Sequence, residues 1–215
     1  MEKIKAVIFD LDGTLANTLP LCIQAFRQSV EPLLNRSLSD AEIIATFGPS
    51  EEGTIMALAP GYYDKGVAGY LQFYENLHDM CPVPFEGIKE LLQTLKDKGI
   101  RIAMVTGKGK YSTDISLRYF GLTHFFEWIE TGSPKGARKA EGIELILDHL
   151  NGIKKEEIMY VGDAPSDVTA SRKAGIPVIA AAWASTAEPE KLQELKPDAL
   201  FYTIKDFSNW LFEKI

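Results

Sequence analysis

Asp10 and Asp12 stand two residues apart, with Gly13 directly behind them, where the apolar run "IKAVIF" (Ile4–Phe9) ends. Thr106, Gly107 and Lys108 follow a second apolar run, and Gly162, Asp163 and Asp167 close a third. A positioned carboxylate can attack an electrophile or carry a proton. A hydroxyl beside glycine-flanked backbone amides can hold an anion. Two carboxylates about 4 Å apart repel by ~4 kcal/mol at an effective dielectric of roughly 20. Bringing Asp10, Asp12 and Asp163 into one pocket therefore requires protonation or a cation. Oxygen ligands with no His or Cys nearby favour a hard ion, and Mg²⁺ suits a site completed by phosphate and water.

Taken singly, each of these residues is an ordinary turn former, and Asp167 could simply cap the helix of "SDVTASRKAG". What gathers them is the pattern of elements. "IKAVIF", "IRIAMVT", "IMYVGD" and "PVIAAAW" read as buried strands, with "DALFYT" a further strand and "FFEWIE" a weaker one. Helical patterns lie between them: "FEGIKELLQTLKDKG", with Ile88, Leu91, Leu92 and Leu95 on one face and Gly99 placed to end it, then "YSTDISLRYFG", "EGIELILDHLNG" and "SDVTASRKAG". This alternation predicts an α/β fold with a parallel sheet covered on both faces. Ligands of such sheets bind outside the carboxyl ends of the strands, where strand order reverses. Three strands thus deliver carboxylates, a hydroxyl and glycine amides to one edge.

Residues 18–82 break the alternation. They hold no convincing strand, and "LPLCIQAFRQSVEPLL", "SDAEIIATF", "EEGTIMALA" and "GYYDKGVAGYLQFYENLHDM" read as helices, with Ser39 and Glu42 forming a capping box. Two parts are expected: an α/β core of residues 1–17 and 83–215, and a helical insert of residues 18–82. Leu19, Phe47, Gly48, Pro49 and Ser50 are candidate lining positions, because "TFGPSEEG" is a breaker-rich loop. Glu51 and Glu52 read as a solvated helix start, and the aromatics of the last insert helix as packing residues. His78, His124 and His149 are scattered and receive no catalytic role.

The net charge of −7 argues against nucleic acid as a partner. Cys22 and Cys81 are read as reduced thiols of a cytoplasmic protein. The first residues carry too short an apolar run for a signal peptide, and no stretch is long enough to span a bilayer. A monomer or weak homodimer is expected, with neither nucleic acid nor membrane as partner; a small phosphorylated metabolite as substrate is what the family resemblance below implies.

"DLDGT", "MVTGK" and "VGDAPSD", in that order across the whole chain, resemble three motifs of the haloacid dehalogenase-like (HAD) hydrolase superfamily. The likeness is to its phosphoglycolate phosphatase-like branch, whose helical cap the insert resembles. The resemblance implies a Rossmann-like core and a Mg²⁺-dependent phosphatase. Asp10 would be the nucleophile and Asp12 the general acid and base. Thr106 and Gly107 would bind phosphate. Mg²⁺ would be held by Asp10, the backbone carbonyl of Asp12 and Asp163, with Asp167 a ligand or a neighbour of the ligands. An acid at position 12 favours phosphoryl chemistry over dehalogenation but leaves a sugar phosphomutase of the β-phosphoglucomutase type open. A non-catalytic binding module is the third alternative. The branch's Lys-Pro-x-Pro signature is missing from "TGSPKGARKAEGIELILDHL". Lys139 is chosen as the lysine that neutralises phosphate and Asp10, with Lys135 the alternative. Asn17, where relatives often carry Asp, is expected to cap the next helix or touch the hinge.

Overall fold

The computed structural model describes residues 3–215, so residues 1 and 2 of the expected first core segment lie outside it. Strands β1 (Ala6–Phe9), β2 (Arg101–Val105), β3 (Trp128–Glu130), β4 (Ile158–Gly162), β5 (Val178–Ala181) and β6 (Ala199–Phe201) form one sheet. Their order is β3-β2-β1-β4-β5-β6, and each neighbouring pair is parallel. The α/β architecture expected from the alternating pattern is therefore present. The apolar runs overreach the strands at both ends. Ile4 and Lys5 donate instead to the carbonyls of Lys214 and Glu157, and Phe125 belongs to a short 3₁₀ turn, which leaves "FFEWIE" only three strand residues.

The alternation of side chains along β1 divides the interior. Val7 and Phe9 enter a core that continues into the insert, whereas Ala6 and Ile8 enter a second core on the opposite face of the sheet. Helices α5 (Ile88–Asp97), α6 (Lys110–Phe120), α7 (Lys139–His149), α8 (Pro165–Ala174), α9 (Pro189–Glu194) and α10 (Ile204–Phe212), numbered after the four of the insert, complete the core. In α5 the four expected apolar positions are buried, and Gly99 just beyond the helix takes a φ of +73°, a conformation that strongly favours glycine.

The insert consists of α1 (Leu19–Leu34), α2 (Asp40–Ile44), α3 (Glu51–Leu58) and α4 (Tyr63–Asn76). Ser39 and Glu42 form the reciprocal cap that opens α2. Tyr70 and Tyr74, one helical turn apart on α4, are fully buried; Tyr70 packs 4.4 Å from the ring of Phe26 on α1. The Tyr74 hydroxyl and His78 Nε2 lie 2.7 and 3.0 Å from Ser116 Oγ on α6. The repeated aromatics are packing residues, as their spacing indicated, and they also fasten the insert to the core. Where the chain returns from the insert, Phe85 N donates to Leu15 O at 2.9 Å and closes its base. Among the described residues no helix is long and apolar enough to cross a membrane.

Phe9 sits at 0% exposure one residue before Asp10, so it couples core packing to the site. Phe9→Ala is expected to lower unfolding free energy by about 3–5 kcal/mol in urea titration. A loss below ~1 kcal/mol would show that the strand is not anchored there.

Candidate active site

The register of β1 determines what stands beside Asp10. Phe9 pairs with Met104 on one side and Val161 on the other, so the residues just past all three strands emerge together. Asp10 N donates to Val161 O at 2.9 Å, and its carboxylate is buried. Carboxylate oxygens of Asp10, Asp163 and Asp167 all lie within 4.8 Å of one another. Two glycines make that approach possible. A Cβ on Gly13, whose φ is +75°, would fall 2.0 Å from Asp163 Oδ2, and one on Gly162 would fall 2.4 Å from Asp167 Cγ.

Lys139, the first residue of α7, supplies the counter-charge. Its Nζ donates to Asp10 Oδ2 at 2.6 Å and to Asp167 Oδ1 at 2.5 Å. Burial works against this ammonium, but the two carboxylates outweigh it and hold it protonated above the usual lysine range. Burial pushes the Asp10 carboxyl up to about 6, with Lys139 opposing and Asp167 adding to the rise. Asp163 rises well above the usual carboxylate range, first through burial and then through Asp10 and Asp167. Its Oδ1 accepts from Thr14 Oγ1 at 3.2 Å, a neutral donor that cancels no charge. Asp167 does serve as a helix cap, accepting from Ala164 N at 2.8 Å, but the same carboxylate faces Lys139 and the Tyr160 hydroxyl at 3.1 Å. Asp167 is thus a helix cap and at the same time a partner of Lys139.

Of the other basic candidates, Arg138 is occupied by Glu130 and Glu141, and Lys135 is exposed and donates through its backbone N–H to Ser133 Oγ. Of the two lysines weighed for this place, Lys139 is the one that contacts Asp10. Thr106 is buried, with its Oγ1 accepting from Lys108 N at 3.2 Å, and Gly107 lies beside the Lys139 side chain.

Asp12 faces another way. Its carboxylate stands outside the acidic cluster; Oδ1 accepts from Thr18 Oγ1 and lies 3.4 Å from Lys108 Nζ. Thr18 is the N-cap residue of α1, yet its hydroxyl makes no cap bond and is turned to Asp12. The cap position thus belongs to Thr18 and not to Asn17, whose Oδ1 is buried without a hydrogen-bond partner. Lys108 Nζ is also 3.4 Å from Glu51 Oε1, 3.2 Å from Cys22 Sγ and 4.2 Å from the centre of the Tyr74 ring. Burial pushes the Cys22 thiol up to about 12, so it remains a neutral neighbour.

Glu51 corrects the expectation of a solvated helix start. It opens α3, but its carboxylate is buried, accepts from Gly109 N at 2.5 Å and from Ser112 Oγ of the core, and meets the Tyr70 hydroxyl of the insert at 3.5 Å. Sequence reasoning missed it because an acid in a first helical turn ordinarily faces water. Its only mark is its place in the loop-to-helix stretch "GPSEEG" already singled out as lining. Lys108 was likewise visible only as the residue behind Thr106 and Gly107.

Above these groups lies a cavity of about 540 Å³. Leu19, Phe47, Gly48 and Pro49 line it as expected, together with Phe26 and Tyr70; Ser50 instead joins insert to core through its N–H to Ser133 O at 2.9 Å. Asp10, Asp12, Thr106, Gly107, Lys139 and Asp163 all open onto this space. Both cysteines are free and buried.

The sheet order, the acidic edge and its lysine form the setting in which the class of protein is read, and that class is a hydrolase. The chain belongs to the haloacid dehalogenase-like hydrolase family, whose model matches residues 7–181. It is 32% identical over 207 residues, 95% of each chain, to pyrophosphatase PpaX of Bacillus pumilus. The fold is similar to that of a predicted phosphoglycolate phosphatase from Haemophilus somnus (TM-score 0.79, 23% identity, covering 96% of this chain and 97% of that one). It is also similar to CbbY from Rhodobacter sphaeroides in complex with phosphate (TM-score 0.76, 21% identity, covering 92% and 93%).

Removing Lys139 strands the buried carboxylates. Lys139→Met is expected to destabilise the metal-free protein by about 3–5 kcal/mol at neutral pH. The deficit shrinks as pH falls, because the raised carboxyls then take up protons and their repulsion disappears. Urea titrations at pH 7 and pH 5 measure this; a deficit that grows on acidification would contradict the charge assignment.

Proposed function

We propose that this enzyme is a Mg²⁺-dependent phosphatase that cleaves a phosphate bond of a small phosphorylated metabolite through an aspartyl-phosphate on Asp10. One observation carries the reading. A buried carboxylate is held 2.6 Å from the largely buried ammonium of Lys139, beneath a cavity shared with the hydroxyl of Thr106 and with Gly107. The donor set fits a hard cation: three carboxylates, oxygen atoms only, with the charge of Asp163 unmatched by any ammonium that Lys139 gives to Asp10 and Asp167. Asp10, Asp163 and the backbone carbonyl of Asp12 would hold Mg²⁺, with Asp167 a further ligand or the residue that orients Lys139. When bound, the ion lets an anionic nucleophile approach an anionic phosphate and carries charge in the transition state.

The chain's own residues divide the remaining work. Lys139 offsets charge on Asp10 and on the incoming phosphate. Thr106 and the Gly107 amide bind phosphate oxygens. As Asp10 attacks phosphorus, the bond to the leaving oxygen breaks and Asp12 gives that oxygen a proton. Asp12 then takes a proton from the water that attacks the aspartyl-phosphate, which releases phosphate and restores Asp10. The insert above the site excludes bulk water.

The phosphoglycolate-like class is the first substrate reading, in keeping with the fold comparison. A second reading, inorganic pyrophosphate, is supported by the name of the Bacillus pumilus relative. Membership of a hydrolase family removes the non-catalytic alternative.

The test is release of phosphate from phosphoglycolate, pyrophosphate, β-glucose 1-phosphate and 4-nitrophenyl phosphate, with Mg²⁺ and with chelator. Turnover is expected only with the metal, and Asp10→Asn is expected to lower kcat by about 10³-fold or more. Glucose 6-phosphate appearing from β-glucose 1-phosphate would replace the phosphatase reading with a mutase. Wild-type rates from Asp10→Asn would overturn the role of Asp10.

A further inference from the structure

Lys108 is a fully buried cation that the reaction just described does not use. It leaves the core loop behind β2, and its ammonium sits between two carboxylates of different origin. Asp12 Oδ1 belongs to the loop after β1, and Glu51 Oε1 belongs to the first turn of α3 in the insert, each 3.4 Å away. Cys22 and Tyr74, both from the insert, cover it on other sides but carry no charge. Its charge is therefore balanced by Asp12 and Glu51 together.

Glu51 is itself fixed. Gly109 N donates to Oε2 at 2.5 Å, and Ser112 Oγ donates to Oε1, so both oxygens are tied to the start of α6. The approach is close enough that a Cβ on Gly109 would fall 2.4 Å from Glu51 Oε2. At the other end, Asp12 Oδ1 receives Thr18 Oγ1 as well as facing Lys108. Both donors load Oδ1 and leave Oδ2 to meet a leaving-group oxygen.

We infer that Lys108 is the positioning residue for Asp12, and that Glu51 holds Lys108 in place only while the insert is seated on the core. Proton delivery is thereby made conditional on closure. This rests on the reading of Asp12 as the general acid. Lys108 lies along the cavity wall, but its ammonium faces Asp12 and Glu51, so it acts through the Asp12 carboxylate. In an open arrangement Glu51 leaves with α3, Lys108 loses one of its two anchors, and the carboxylate is no longer held with Oδ2 presented.

A matched pair of esters isolates this role. Phenyl phosphate and 4-nitrophenyl phosphate have nearly the same shape, but only phenol needs strong protonation to leave. Lys108→Met is expected to lower kcat/KM for phenyl phosphate by about 10²-fold, the lower end of what general acid catalysis supplies. The loss for 4-nitrophenyl phosphate is expected to be at least about tenfold smaller. Asp12→Asn shows the same asymmetry, and adding Lys108→Met to it deepens the loss by less than about twofold, because the two act as one unit. Glu51→Gln keeps the side-chain length and can still accept from Gly109 N through its amide oxygen, with its NH₂ turned to Ser112 Oγ and Lys108, so it is informative even where Lys108→Met fails to fold. It is expected to show the same asymmetry at about one-tenth the size.

Equal losses on the two esters, or full additivity with Asp12→Asn, would overturn the inference, since a merely structural lysine would give that result. Unchanged kinetics in Glu51→Gln would remove the link to the insert. If wild-type protein with Mg²⁺ released phosphate from neither of these esters, nor from phosphoglycolate or pyrophosphate, the phosphatase reading itself would fall, and this inference with it.

Discussion

Repulsion among buried carboxylates is the constraint around which the rest of this structure is arranged. Asp10, Asp163 and Asp167 come within 4.8 Å of one another at the carboxyl edge of a parallel sheet, with Asp10 and Asp167 buried and Asp163 half-buried. In such surroundings each like-charge contact costs several kcal/mol. Lys139 offsets part of this, which is why α7 begins where its first residue can reach across to β1 and β4. The Ala164 amide and the Tyr160 hydroxyl take up what remains of Asp167. Asp163 is the member of the cluster that Lys139 does not pair with directly.

A second ion cluster solves a different problem. Asp10 and Asp12 are two residues apart, yet the proposed chemistry asks one to attack as an anion and the other to give up a proton. The structure separates them by giving each its own lysine. Asp10 shares Lys139 with the acidic cluster, while Asp12 turns toward Thr18 and Lys108. Both lysines are buried, and neither pair would be worth its desolvation for stability alone.

The helical insert does more than roof the cavity. Its aromatic spine of Phe26, Tyr70 and Tyr74 packs internally, and its polar ends reach the core through Ser116, Ser133 and Gly109. Glycine at positions 13, 109 and 162 is demanded by close approach, since a methyl group at any of them would overlap a carboxylate. Site and packing are therefore determined by the same contacts.

Much of this was legible in the chain itself. The apolar runs and their helical partners specify a parallel α/β sheet, because local periodicity decides which face each element must bury. Asp10, Asp12, Thr106 and Asp163 were legible because strand ends in such sheets converge by topology, whatever the side chains beyond them do. Asp167 was ambiguous for the same local reason, since capping its helix and facing Lys139 require the same residue. What only the tertiary structure decided depends on distance across the chain. Lys139 over Lys135, Thr18 in place of Asn17 as the cap, and the burial of Glu51 against Lys108 all follow from which elements come to rest side by side. No spacing within a loop encodes that, because an ammonium or a carboxylate at a helix start looks the same in sequence whether it meets water or its counter-ion.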